Sequence, residues 1–438
     1  MSALARFYKA KGYAVAGYDR TSTALTKSME AEGISIHYVD DPSLIPDGIE
    51  FVVRTPAVPA DTKELVYLRE KNVQILKRAQ VLGMISREHA GVAVAGSHGK
   101  TTTTALVSHI LMTAGKHISA FIGGIARNFD SNVVIGDEHD DFVVMEADEY
   151  DRSFMQLSPY ASIVTSIDAD HLDIYGDYEH VVEGFNQFVE KNADNGLVVY
   201  HAGLPIKTDK PHITYGFADA DVLAENIRIA DGLTEFEVVV ASDDKILDNL
   251  KSLGTIRMPL YGDHNVQNAL AALTVCSFLG VSNEDLKQAL LTFKGVKSRF
   301  DIRVRNEKHV YIDDFGHHPE EMKATLMTAR KVFPDMKMTV VFQPHLFTRT
   351  RDFMDEFAAV LSMADRVVLT EIYPARELPI EGVNSEALFD RINLRDKSLC
   401  SKSEVIEKLK GLELDLLITL GAGDIHALVP EIEQIFDK

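Results

Sequence analysis

Residues 96–102 have the types and the spacing needed to hold a polyphosphate. They read Gly-Ser-His-Gly-Lys-Thr-Thr and connect a predicted strand to a predicted helix. Backbone N–H groups at such a connection face phosphate oxygens, and the helix dipole favours negative charge. Val94 occupies the first glycine position of the usual phosphate-binding pattern, so the loop is a shortened form. The alternative is a plain strand-turn-helix connection. We predict that the following residues bind ATP: Gly96, Ser97, Gly99, Lys100, Thr101 and Thr102.

Two further side chains follow apolar segments that are typical of strands in a covered sheet. Glu146 comes directly after residues 142–145, and His171 follows residues 161–167. Ligands of open α/β sheets bind at the carboxyl ends of the strands. A carboxylate there can hold Mg²⁺ opposite the hydroxyl of Thr101, and an imidazole can take a second ion, although Mg²⁺ prefers oxygen. An exposed strand-end acid and a hydrogen-bonded structural histidine are the alternatives.

The predicted helix after Gly262 carries two amides one turn apart near its start, Asn265 and Asn268. These amides are suited to recognise an adenine edge. Asn265 also fits a helix N-cap, which is the simpler interpretation of that residue alone.

Basic side chains follow two predicted strands in the last third of the chain, at residues 309–312 and 338–342. The side chains are His317, His318, His345, Arg349 and Arg351. Basic groups at the carboxyl edge of a sheet suit a carboxylate substrate or a transferring phosphoryl group. Solvated surface charges are the alternative interpretation.

The elements that must position these residues alternate between short apolar segments and helical patterns, which predicts an α/β fold. We predict three domains. Residues 1–88 form a Rossmann-like domain, residues 89–297 a central P-loop ATPase-type parallel sheet, and residues 298–438 a second Rossmann-like domain. Alternating stretches between residues 196 and 260 predict a small antiparallel excursion within the central domain.

Composition excludes several classes of protein. The 45 Lys and Arg against 66 Asp and Glu give a net charge of −21, the wrong sign for binding nucleic-acid backbones. Two Cys are too few for a disulfide framework. No apolar run approaches the about 20 residues that span a bilayer, and the start of the chain has no signal-peptide pattern. We therefore expect a cytoplasmic protein with no nucleic-acid partner and no membrane insertion.

Taken together, the motifs closely resemble those of the Mur ligases, the three-domain ATP-dependent amide-forming enzymes of peptidoglycan synthesis, over essentially the whole chain. The resemblance is to the branch that adds L-alanine. It is carried by Glu-Ala-Asp-Glu at residues 146–149, Ala-Asp-His-Leu-Asp at 169–173, Asp-Asp-Phe-Gly-His-His-Pro at 313–319, Phe-Gln-Pro-His at 342–345 and Thr-Arg-Thr-Arg at 348–351.

The resemblance implies a reaction in two steps. The lactyl carboxylate of UDP-N-acetylmuramate attacks the γ-phosphate of ATP, and the amine of L-alanine then displaces phosphate from the acyl phosphate. Two Mg²⁺ ions and Lys100 would neutralise charge without a covalent protein nucleophile. The implied roles are metal ligands for Thr101, Glu146 and His171, adenine contacts for Asn265 and Asn268, nucleotide contacts for Arg299 and Asp314, and orientation of alanine and the acyl centre for His345 and Arg349.

The chain departs from the family pattern at three places. The family's N-terminal strand and Gly-rich turn do not precede Met1, so we expect the UDP-sugar-binding domain over residues 1–88 to be incomplete. Leu346 replaces an Arg of many relatives and Phe315 often replaces Tyr, so the selectivity for alanine is expected to shift. No Lys occurs at residues 172–190, where several other Mur ligases have a carbamoylated Lys, and this fits the alanine-adding branch.

Three rival interpretations remain. A recycling ligase that joins a ready-made tripeptide to the same sugar nucleotide shares the phosphate loop, but the segment at residues 343–351 argues against it. A P-loop regulator would bind ATP without forming a product. A folate-type glutamate ligase fits less well, because the first domain looks built for a nucleotide sugar. Monomer and homodimer remain equally open.

Overall fold

A computed structural model describes residues 1–55, 58–137, 140–169, 172–375 and 377–436. His171, a predicted metal ligand, lies outside these residues. The chain divides into two compact units. Unit 1 consists of Met1–Arg228, Thr234–Pro259 and His264–Lys294, and unit 2 of Ile229–Leu233, Leu260–Asp263 and Gly295–Lys438. The three domain limits predicted from the sequence stay a prediction.

The first part of unit 1 contains two separate pairs of parallel strands. The strands are β1 (Ala16–Tyr18) with β2 (Ser35–His37), and β3 (Phe51–Arg54) with β4 (Gln74–Lys77). The helices are α1 (Ser2–Ala10), α2 (Ala24–Ala31), α3 (Lys63–Glu70) and α4 (Arg78–Glu88).

A ten-stranded sheet follows, in the order β14-β13-β12-β11-β10-β9-β5-β8-β6-β7. Its strands are β5 (Ala90–Ala95), β6 (Ile118–Ala126), β7 (Ser131–Val134), β8 (Phe142–Glu146), β9 (Ala161–Val164), β10 (Leu197–His201), β11 (His212–Gly216), β12 (Val222–Ala230), β13 (Leu233–Val240) and β14 (Gly254–Met258). The helices are α5 (Lys100–Thr113), α6 (Leu172–Tyr175), α7 (Tyr178–Val189), α8 (Asp263–Phe278) and α9 (Asn283–Thr292).

Unit 2 contains a six-stranded sheet in the order β15-β16-β20-β17-β18-β19. Its strands are β15 (Asp301–Arg305), β16 (Val310–Asp314), β17 (Met338–Phe342), β18 (Arg366–Leu369), β19 (Lys397–Leu399) and β20 (Leu416–Leu420). The helices are α10 (Pro319–Val332), α11 (Phe347–Asp352), α12 (Met354–Leu361), α13 (Ser385–Arg391), α14 (Val405–Lys410) and α15 (Val429–Phe436).

The predicted α/β fold class is confirmed. The central strands β5, β8 and β9 pair in parallel and are almost wholly buried, which explains their continuous apolar sequences. The strands β9, β10, β11 and β12 also pair in parallel with one another, and the antiparallel excursion includes the pair β13 and β14. A second antiparallel pair, β6 with β7, was not predicted from the sequence.

In the described ranges, no helix is both long and apolar enough to cross a membrane.

Candidate active site

The phosphate loop begins where β5 ends, and two of its glycines have a backbone that disfavours side chains. Gly96 has φ +132° and Gly99 has φ +82°. A Cβ on Gly96 would lie 2.1 Å from Oγ1 of Thr165, and one on Gly99 would lie 2.6 Å from Oδ1 of Asn268. Glycine is therefore required at both positions by conformation and by space.

The loop is also fixed to the segment that follows β9. The backbone N–H of Ser97 donates to the carbonyl oxygen of Ser166 at 3.1 Å, and that of His98 donates to Oγ of Ser166 at 2.8 Å. The backbone N–H of Asp168 donates to Oγ of Ser97 at 2.9 Å. These bonds hold the loop against the neighbouring strand end in a defined shape.

Lys100 is the first residue of α5, and its ammonium group has three acceptors. Its Nζ lies 2.5 Å from the carbonyl oxygen of Gly96, 3.4 Å from that of Ser97 and 2.9 Å from Oε1 of Glu149. The side chains of Lys100 and Glu149 are 15% and 4% exposed. Burial raises the pKa of Glu149 in spite of the opposing effect of Lys100.

Thr101 and Glu146 bring two oxygen atoms together beside the loop. In the parallel register of β5 and β8, Val94 lies opposite Glu146, which places this acid near the start of the loop. The hydroxyl of Thr101 donates to Oε2 of Glu146 at 3.0 Å, and the N–H of Gly123 donates to the same oxygen at 2.8 Å. Hydroxyl and carboxylate oxygens suit Mg²⁺, so both residues fit this ion.

The pair of Thr101 and Glu146 is the metal-binding candidate that the described residues provide. Within the described ranges, which leave out His171, no three His, Cys, Asp or Glu side chains converge as metal ligands.

The two predicted adenine contacts lie in the first turns of α8. Because α8 begins at Asp263, Asn265 is inside the helix rather than at its N-cap. Asn265 and Asn268 are each 6% exposed, and Nδ2 of Asn268 lies 3.4 Å from Oδ1 of Asn265. The steric limit on Gly99 places Asn268 beside the phosphate loop.

In unit 2, Asp314 lies at the end of β16, at the edge where β20 and β17 also end. Its carboxylate accepts the backbone N–H of Phe300 at 2.6 Å and that of Gly316 at 2.7 Å. Burial raises the pKa of Asp314 to about 6, although the positive charge of Arg299 opposes the shift. The guanidinium of Arg299 lies 5.1 Å from the ring centre of Phe315.

His345 and Arg349 contact each other at the same edge. Nη1 of Arg349 lies 3.3 Å from Nδ1 of His345, whose ring stacks on Tyr373 with centres 5.8 Å apart. The ring of His317 lies 5.9 Å from that of His345. Burial, together with the charges of His317 and Arg349, lowers the pKa of His345 to about 4, so its imidazole is neutral near pH 7. A neutral imidazole can accept a hydrogen bond there.

The structure separates the other predicted basic residues from this contact. Arg351 is exposed and its Nε donates to Asp352 at 2.7 Å. His318 is the N-cap of α10 and packs against Phe353. Arg351 therefore fits the alternative of a solvated surface charge, whereas His318 has a structural place at the start of α10.

The predicted residues fall into two groups. Unit 1 holds Gly96, Ser97, Gly99, Lys100, Thr101, Thr102, Glu146, Asn265 and Asn268, and unit 2 holds Arg299, Asp314, His345 and Arg349. Sequence reasoning missed the contacts of two acids, Glu149 with Lys100 and Glu377 with Thr348. The sequence signal for Glu149 is its place in the Glu-Ala-Asp-Glu motif, three residues after Glu146. The position of Glu377 gave no comparable signal.

Three family models match successive parts of the chain. The model described as Mur ligase family, catalytic domain, matches residues 1–90. The Mur ligase middle domain matches residues 94–276, and the Mur ligase, glutamate ligase domain matches residues 298–430.

Relatives and solved structures agree with these matches. The UDP-N-acetylmuramate–L-alanine ligase of Christiangramia forsetii is 43% identical over 440 residues, 99% of this chain and 94% of the relative. That of Cytophaga hutchinsonii is 42% identical, covering 100% and 95%. The structure of a UDP-N-acetylmuramate-alanine ligase from Thermotoga maritima matches with a TM-score of 0.82 at 27% identity, covering 100% and 96%. A murein peptide ligase from Psychrobacter arcticus shares the fold, with a TM-score of 0.71 at 23% identity over 99% and 96%.

Proposed function

Because the chain belongs to the Mur ligase family, we propose that it joins L-alanine to the lactyl carboxylate of UDP-N-acetylmuramate at the expense of ATP. The observation that carries this proposal is the full-length similarity to alanine-adding relatives, at 43% and 42% identity. The reaction forms an acyl phosphate on the lactyl group, and the amine of alanine then displaces inorganic phosphate from it.

The contribution of unit 1 is to hold ATP and to neutralise its charge. The N–H groups at the start of α5 face the phosphates, and Lys100 donates to the terminal ones. Thr101 and Glu146 are the proposed ligands of Mg²⁺, which would polarise the γ-phosphate when bound. A second ion would use His171. Asn265 and Asn268 would hydrogen-bond the adenine edge, since Asn268 lies beside the loop and Asn265 contacts Asn268.

The contribution of unit 2 is to orient the amino acid and the nucleotide. Arg349 has a charge suited to the alanine carboxylate or to the acyl phosphate. Because the pKa of His345 is lowered to about 4, its imidazole is neutral near pH 7 and can accept a hydrogen bond from a neighbouring donor. Arg299 and Asp314 are the proposed nucleotide contacts from this unit.

We place the reaction in the cytoplasm, where ATP and UDP-linked sugars are available. The proposal has L-alanine as the acceptor. The positions of Leu346 and Phe315 at the same sheet edge make the selectivity for alanine the property to measure first.

The test is phosphate release from ATP, Mg²⁺ and UDP-N-acetylmuramate with L-alanine, glycine, L-serine or the tripeptide as the acceptor. Release that requires both the sugar nucleotide and L-alanine is the expected result. Release with the tripeptide alone would assign the recycling reaction instead. ATP binding without acceptor-dependent release would favour a regulatory role.

A further inference from the structure

Two acids of one motif contact the two functional residues at the start of α5. Oε2 of Glu146 accepts a hydrogen bond from the hydroxyl of Thr101 at 3.0 Å, and Oε1 of Glu149 accepts one from Nζ of Lys100 at 2.9 Å. The intervening turn is fixed by the N–H of Ala147, which donates to the carbonyl oxygen of Val94 at 2.8 Å. The proposed reaction uses the first acid as a metal ligand and leaves the second without a role.

The three hydrogen bonds of Lys100 differ in length, and this difference orients its ammonium group. Three protons are available on Nζ. The bonds to Gly96 and Glu149 are short, at 2.5 Å and 2.9 Å, whereas the bond to Ser97 is 3.4 Å long and correspondingly weak. The two short bonds fix the ammonium, and the third proton can turn to a phosphate oxygen at little cost.

Glu149 is itself held in place by the protein. Its carbonyl oxygen accepts the hydroxyl of Tyr175 at 2.8 Å and the N–H of Arg152 at 3.0 Å. Its side chain is 4% exposed, so solvent does not screen its interaction with Lys100. Charge-assisted hydrogen bonds in such surroundings are stronger than neutral ones.

We propose that Glu149 is a positioning residue that aims Lys100 at the terminal phosphates of ATP. Glu149 keeps its hydrogen bond from the lysine while the third N–H of the ammonium donates to a phosphate oxygen. This inference deepens the proposed function and rests on it. Glu149 does not touch ATP in this arrangement and acts through Lys100. The segment that contains Glu149 also offers a matched control, Asp151. Its carboxylate makes an ion pair with Lys77 at 2.7 Å, and both side chains are at least 42% exposed.

The test is a double-mutant cycle on ATP affinity, measured calorimetrically with Mg²⁺ and without the sugar nucleotide. Glu149→Gln is expected to weaken ATP binding about 10-fold, the effect of losing a charge-assisted bond. In a Lys100→Met background the same substitution is expected to have no further effect, because the lysine through which it acts is gone. Asp151→Asn is expected to leave the affinity unchanged.

Three results would overturn the inference: tighter ATP binding by Glu149→Gln, an equal loss of affinity in both backgrounds, or an equal loss in Asp151→Asn. Thermal midpoints recorded alongside establish that each variant is folded. If Glu149→Gln does not fold, Glu149→Asp keeps the charge but withdraws the carboxylate, and it is expected to weaken ATP binding in the same Lys100-dependent way. Absence of ATP binding in the unmodified protein would instead overturn the proposed function.

Discussion

Burial determines the pH at which the carboxyl group of Asp314 ionises. Its pKa is raised from 3.8 to about 6, so between these values the folded protein holds a proton that the unfolded chain has lost. The stabilising contribution of the protonated form is complete below about pH 4 and is lost as the pH rises through about 6. The shift corresponds to roughly 3 kcal/mol.

Substituting Asp314→Asn tests this pH dependence. The variant cannot ionise and keeps one oxygen for the N–H of Gly316, although it loses the bond from Phe300. We therefore compare the free energy of unfolding of the original protein with that of the variant. Their difference is expected to change by about 3 kcal/mol against the original protein between about pH 4 and 7. Urea unfolding across this range measures it. The exposed Asp390→Asn is the control and should follow the original protein. A constant difference between original and Asp314→Asn would contradict the pKa shift.

Arg349 and Arg351 are two residues apart in one helix but differ in their surroundings. Arg349 contacts His345, whereas Arg351 is exposed beside Asp352. Arg349→Lys is expected to raise the KM for L-alanine about 10-fold, because an ammonium cannot reproduce the planar geometry of guanidinium. Arg351→Lys should change it less than about 2-fold. Phosphate release against L-alanine concentration measures both, and equal effects would count against the assignment of Arg349.

Single residues were predictable from the sequence where a backbone motif dictates their place. Gly96, Lys100 and Thr101 were identified from spacing alone, because a strand, a tight turn and a helix leave little choice of position. Contacts made through tertiary structure were not. The hydrogen bond of Glu149 with Lys100 depends on the parallel register of β5 and β8. This register cannot be predicted from the local sequence of either strand.

Among the secondary structure elements, strand ends were predicted best where burial alone determines them. β17 has the predicted limits, residues 338–342. β9 ends at Val164, three residues before the apolar sequence ends at Ile167. The hydroxyl of Thr165 donates to the carbonyl oxygen of His98, and Oγ of Ser166 accepts the N–H of His98, so these two residues are bonded to the phosphate loop. The helix α5 follows the phosphate loop as predicted, and its residues from Thr103 to Ser108 are all buried, as in a helix covered nearly all round.

Two glycines at opposite ends of α5, Gly99 and Gly115, test whether the turn before this helix is needed for ATP binding. Gly99 and Gly115 have φ of +82° and +72°, so alanine at either costs about 1 kcal/mol of stability. A Cβ on Gly99 would lie 2.6 Å from Oδ1 of Asn268, whereas no atom of the described residues lies within 4 Å of one on Gly115. Gly99→Ala is therefore expected to weaken ATP binding at least about 10-fold and Gly115→Ala to leave it unchanged. Equal ATP affinities in titration would refute this difference.

At the scale of the whole molecule, each of the two compact units has hydrophobic clusters of its own. One cluster is built from residues of unit 1, and two others from residues of unit 2. A unit with its own core has the physical requirement for unfolding independently. The chain nevertheless passes between the units at several points, so the number of unfolding transitions is an informative measurement.

Matched core substitutions separate independent unfolding of the two units from joint unfolding. Leu106 in unit 1 and Leu417 in unit 2 are both 0% exposed, and replacing either by alanine removes the same atoms at a cost of about 2–5 kcal/mol. We expect scanning calorimetry to show two transitions, with Leu106→Ala lowering the midpoint of one and Leu417→Ala lowering that of the other. The two substitutions remove the same atoms. If they lower the midpoints of different transitions, the cause must be the unit in which each leucine is buried. A single transition lowered equally by both substitutions would mean that the two cores unfold as one cooperative structure.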